Sequence, residues 1–160
     1  MQLGDSGELS VDIDPGAGLL GGAVGAFALT VVLGAIMVAV APRYTESKMA
    51  SLRRDPVGAV VYGIALVIAV ALVALLLLFS VVGIPVVIVL FVPLVLIWGI
   101  GSAIAFLAIA EGLLDGEGEW LLPLLVAGAL SGGLALTGIG GVVSFCIGAA
   151  GFGAVLRDYL

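Results

Sequence analysis

The chain has 160 residues, 63% of them hydrophobic and 10% charged, and a mean hydropathy of +1.41. A chain of that composition cannot cover itself with polar surface in water, which excludes a soluble globular domain. The net charge of -6, from eleven acids against five bases, argues against a nucleic-acid surface, because that needs clustered cations.

Residues 1–17 read as an acidic extracytoplasmic tail with Asp5, Glu8, Asp12 and Asp14. Asp14-Pro15 has the form of an N-cap with proline just inside the helix start, opening a first span over residues 18–41 that Pro42 closes. No cationic region precedes this apolar segment, and it outruns a signal core, so it reads as a retained span. The stretch "PRYTESKMASLRRDP" follows as a charged linker, and its Asp55-Pro56 repeats the capping device.

From Pro56 to Ala110 there is no charged side chain. One straight helix over that run would reach about 80 Å, far beyond a hydrocarbon core of roughly 30 Å, so the chain has to fold back. Many of these residues are β-branched, but buried strands end within about eight residues, and membrane barrels alternate apolar and polar positions. Helices are therefore expected over 57–82 and 86–110. The turn falls at Gly83, Ile84 and Pro85, where glycine tolerates the bend and proline lacks the N–H that continuation needs. Pro93 reads as a kink inside the third span.

After the acidic loop "EGLLDGEGE" no charge occurs from Trp120 to Leu156. That run would measure about 55 Å, and Thr137-Gly138-Ile139-Gly140-Gly141 breaks it near its middle. Two short helices over 120–136 and 140–156 are expected, with a single tilted or broken span as the alternative. The fold class is thus an all-α polytopic transmembrane bundle of about five spans, including two helical hairpins. Residues 157–160 form a short C-terminal end. Nothing outside the membrane is long enough to fold as a domain of its own.

Arg43, Lys48, Arg53 and Arg54 lie in the linker, which the positive-inside rule assigns to the cytoplasm of a cell-membrane protein. Five spans bring Arg157 to the same side and leave the N-terminus outside. The four linker cations set this topology and are also candidates to hold anionic lipid headgroups.

The absences bear on chemistry. There is no histidine, and Cys146 is the single cysteine, so the usual proton shuttle, a disulfide and a thiolate metal site are all missing. No ionisable group falls inside a span, which disfavours proton-coupled transport. No enzyme activity and no cofactor are expected. Thr30, Tyr62, Ser80, Ser102, Ser131, Thr137 and Ser144 are the polar side chains at depth, and they read as helix backbone bonding or interhelical contact. Gly18 with Gly22, Gly21 with Gly25, and Gly128 with Gly132 form GxxxG pairs, which let helices approach closely, either within the chain or in a homo-oligomer. Tyr62 and Trp120 suit the bilayer interfaces, while Trp98 is expected to pack between helices at mid-depth.

The succession "RRDPVGAVVYGIALV", "SVVGIPVVIVL", "WGIGSAIAFLAIAEGL" and "LLVAGALSGGLALTGIGGVVSFCIGAAGFGAVL" resembles the polytopic membrane domain attached to, or found beside, bactofilin-type polymer-forming cytoskeletal modules. The resemblance covers roughly residues 43–157. It implies a membrane scaffold or anchor working with a cytoskeletal or envelope partner. This chain has no β-rich repeat that could itself polymerise, so filament formation does not carry over. A small oligomeric channel or passive transporter is the alternative function, and the shortage of polar lining residues stands against it.

Overall fold

A computed structural model describes residues 15–80, 83–114 and 119–157. Among them are six α-helices and no strand: α1 Pro15–Val40, α2 Pro42–Arg54, α3 Pro56–Leu78, α4 Gly83–Leu113, α5 Leu121–Leu136 and α6 Gly140–Leu156. The all-helical class is therefore as expected. The acidic residues before Pro15, including the Asp14 cap, lie outside the described residues.

Three helices, α1, α3 and α4, are long and apolar enough to cross a membrane, while α5 and α6 are shorter apolar helices. At 1.5 Å per residue α5 and α6 measure about 24–26 Å, somewhat less than the hydrocarbon thickness. The three long helices support a membrane location. Their apolar side chains are mostly uncovered: Leu76 of α3 and Val89 of α4 are each 72% exposed. Lipid tails solvate such side chains as well as other leucines do, so nothing drives them inward.

Local sequence explains the boundaries. Asp55 accepts a hydrogen bond from the Gly58 N–H at 2.9 Å, and Pro56 opens α3, so the cap-and-proline device works as read. The turn between α3 and α4 lies earlier than expected. The Ser80 N–H donates to Leu77 O at 3.0 Å and the Gly83 N–H to Ser80 O at 2.9 Å, and α4 has already begun at Gly83. Ile84 and Pro85 therefore occupy the first turn of α4 rather than the hairpin loop. The first turn of a helix has no acceptors for its N–H groups, so proline is tolerated there. α4 continues through Pro93 as helix.

The second hairpin closes in the same way. Thr137 N–H donates to Leu134 O at 3.0 Å and Gly140 N–H to Thr137 O at 2.9 Å. The pattern Leu77-x-x-Ser80-x-x-Gly83 thus recurs as Leu134-x-x-Thr137-x-x-Gly140. In both turns the glycine lies against the leucine carbonyl, where a side chain would collide with backbone.

The two arms of each hairpin are not the main packing partners. α6 packs against both α3 and α4, and α1 packs chiefly against α5. Glycine makes these approaches possible. A Cβ on Gly101 would sit 2.6 Å from the Gly151 carbonyl carbon, and one on Gly153 would sit 2.7 Å from Gly63 Cα. The apolar core gathers at one end of the bundle, where Met49 and Leu52 of α2 meet Leu107 and Ala110 of α4, Leu124 of α5 and Ala154 of α6.

Candidate functional site

The segment read as a linker is the helix α2. Its Thr45, Lys48, Met49 and Leu52 are buried, at the i, i+3, i+4, i+7 spacing of one helix face. That stripe is half polar, which hid it behind the surrounding charge. α2 packs on α4 and α6 at the end of the bundle where the apolar core gathers.

Lys48 is the sharpest departure from expectation. Placed in sequence among the headgroup-facing cations, it is only 4% exposed. Its Nζ donates to the Ala154 carbonyl at 2.6 Å, and the ammonium lies 5.4 Å from the Tyr44 ring centroid. Ala154 is in the last turn of α6, where carbonyls lack intrahelical donors and the helix dipole favours positive charge. Lys48 therefore fastens α2 to the end of α6. Thr45 is likewise turned inward, donating to Ala41 O at 3.0 Å.

Arg43, Arg53 and Arg54 remain exposed on the outer side of α2, and Arg157 follows α6 at the same end. Arg53 Nη1 and Glu111 Oε2 of α4 are 3.5 Å apart, with the arginine side chain 51% exposed, which makes this a weak surface pair. Beneath Arg53, a groove of about 220 Å³ is lined by Leu52, Pro56, Val60, Ala108, Ile109 and other apolar residues. A guanidinium at the rim of an apolar groove suits an anionic amphiphile. No group of three or more potential metal ligands occurs among the described residues.

The GxxxG pairs divide. Gly128 and Gly132 face α1, where added Cβ atoms would meet Val31 Cγ2 at 2.6 Å and Ala23 O at 3.0 Å respectively. Gly18, Gly21, Gly22 and Gly25 are exposed, with nothing within 4 Å of an added Cβ. The closest contacts involving α6, through Gly63, Gly101, Gly151 and Gly153, were not singled out in sequence. They pair glycines on different helices, and no spacing within one helix marks them.

A second feature lies away from α2. Thr30 of α1 donates to Ser131 Oγ of α5 at 3.0 Å, and Ser131 Oγ is 3.4 Å from Ala26 O. Both side chains border a cavity of about 540 Å³ between α1, α4, α5 and α6, which Ser102 and Ser144 also line. Trp98 forms one wall, its ring centroid 5.3 Å from that of Phe145 and 5.6 Å from that of Phe152. Each of the four helices thus contributes one hydroxyl. In sequence these serines and threonines stand singly, and their convergence depends on packing that the sequence does not display.

Neither a curated relative nor a solved structure matches the chain. A family model matches residues 8–160 of it. The chain belongs to that family, described as Domain of unknown function (DUF8173).

Proposed function

We propose that this chain is a non-enzymatic membrane scaffold, with α2 as its docking surface for a cytoskeletal or envelope partner. The observation that carries the reading is the fixed placement of α2. Its inner face is locked to α4 and α6 through Met49, Leu52 and Lys48, while Arg43, Arg53 and Arg54 point outward. A helix held in this way presents its charges at set positions with little ordering entropy left to lose on binding.

The same reading has five crossings in the cell membrane, the N-terminus outside and the α2 end in the cytoplasm. The gathering of Arg43, Arg53, Arg54 and Arg157 at one end supports that orientation. α5 and α6 cross with a mismatch of a few ångström, which local bilayer thinning accommodates at modest cost. The groove under Arg53 adds an anionic lipid contact to the same surface.

An oligomeric channel is the second reading, favoured by the hydroxyl-lined cavity. Phe106, Ile104 and Leu107 are almost wholly buried where the cavity meets the core. That packing stops a through-path in a single chain.

Two measurements test the scaffold reading. In a Cys146→Ser background, a Gly138→Cys substitution in the α5–α6 turn should react with an impermeant maleimide from outside only; reaction from the cytoplasm alone overturns the topology. A photo-crosslinker at the exposed Ser47 should trap one discrete protein in native membranes, and Arg43→Ala, Arg53→Ala and Arg54→Ala together should remove that adduct. Solute flux above that of empty vesicles after reconstitution would favour the channel instead.

A further inference from the structure

We propose that the cavity between α1, α4, α5 and α6 is a binding site for a small uncharged polyol. The argument starts from scarcity. This chain carries few polar side chains at bilayer depth, yet Thr30, Ser102, Ser131 and Ser144, one from each surrounding helix, border the same space. Thr30 and Ser131 satisfy each other. The Ser102 and Ser144 hydroxyls form no side-chain hydrogen bond among the described residues, although a helical serine can donate to the carbonyl four residues back. Lipid offers such a hydroxyl no partner, and an unpaired polar group in hydrocarbon is costly. Where that carbonyl does not serve, the partner comes from within the cavity, which both half-buried serines border.

Size and lining narrow the class. A volume of about 540 Å³ falls within the usual range for small-molecule sites, which combine apolar and aromatic walls with a few placed polar groups. No charged residue borders the space, so a charged guest would be left without a counter-charge at membrane depth. Trp98, Phe106 and Phe145 supply carbon-rich walls beside the hydroxyls. A polyol matches both surfaces, offering C–H groups to the rings and O–H groups that donate to and accept from serine. Gly140 and Gly141 place the cavity beside the α5–α6 turn, and Phe106 floors it toward α2. Leu29 and Phe145, at 58% and 47% exposure, form its open side.

The test uses the full chain in lipid nanodiscs, with glycerol as the probe and saturation-transfer difference NMR as the readout; empty nanodiscs serve as the blank. A saturable signal is expected. Ser102→Ala with Ser144→Ala should weaken apparent affinity at least tenfold, while Ser80→Ala, outside the cavity, should leave it unchanged. Gly141→Leu keeps the fold controllable, since a Cβ there has nothing within 4 Å, and its side chain should occlude the space and abolish the signal. The proposal fails if glycerol gives no saturable signal, or if the double serine variant binds as tightly as the parent. It fails equally if brominated phospholipid strongly quenches Trp98 in a Trp120→Phe background, because the cavity would then hold lipid.

Discussion

Replacing Lys48 with methionine tests the docking of α2 most directly. Methionine keeps an unbranched apolar stem in the buried slot and removes the ammonium. The 2.6 Å bond to Ala154 O involves a charged donor, and such bonds contribute about 1.5–3 kcal/mol. The dipole at the α6 C-terminus and the Tyr44 ring act on the same charge, so their contributions overlap with the bond and are not added to it. Loss of the bond also strands a carbonyl on a residue only 8% exposed. Lys48→Met should therefore cost about 2–3 kcal/mol, whereas Arg54→Ala, at an exposed position, should change stability by less than about 0.5 kcal/mol. Reversible unfolding in mixed detergent micelles, followed by tryptophan emission, measures both. A Lys48→Met variant within about 0.5 kcal/mol of the parent would refute the argument, placing the ammonium in water or among headgroups.

Gly151→Ala should destabilise the bundle more than a surface change does, because the new methyl meets Gly101 backbone and not a movable side chain; overpacking of this kind costs about 1–3 kcal/mol or more, read in the same unfolding assay. A double-mutant cycle of Thr30→Val and Ser131→Ala should return a coupling of about 0.6 kcal/mol, and no more than ~1.7, as for other interhelical hydrogen bonds in membranes. Asp55→Ala removes the cap on α3 and should cost about 0.5–2 kcal/mol, with faster amide exchange at Gly58 as its local signature. Gly22→Ala should stabilise the monomer by about 0.5–1 kcal/mol, since its Cβ meets nothing; a loss of stability that shrinks as the protein is diluted would instead reveal a partner copy on that face of α1.

What was legible in sequence follows the range of the forces involved. Asp55-Pro56 marked the start of α3 because capping and proline geometry act within four residues. The apolar runs were legible because membrane length is a global constraint on uncharged segments. The turn lies a few residues before Pro85 because the first helical turn is where a proline costs least, so this proline opens α4 and does not break the chain. α2 was hidden because half of its buried face is polar: Thr45, which donates to the Met37 and Ala41 carbonyls, and Lys48, whose partner is the Ala154 carbonyl far along the chain. The same limit applies to the cavity: Ser102 and Ser144 carry no mark of shared position until α4 and α6 run side by side through Gly101 and Gly151.

The distribution of side-chain size explains why the two ends of the bundle differ. In lipid, large apolar side chains gain little by turning inward, so cohesion has to come from close contact and hydrogen bonds. The helix crossings are accordingly made of glycine and alanine, and the largest fully buried side chains are Phe106, Phe152, Met49, Ile104, Leu107 and Thr45. Met49 and Thr45 belong to α2, which is not one of the apolar helices, and where water surrounds such a helix it does drive burial. α2 thus brings a soluble type of core packing to a bundle otherwise held by small residues. Phe106 touches both regimes, since it belongs to the core beneath α2 and forms the floor of the hydroxyl-lined cavity.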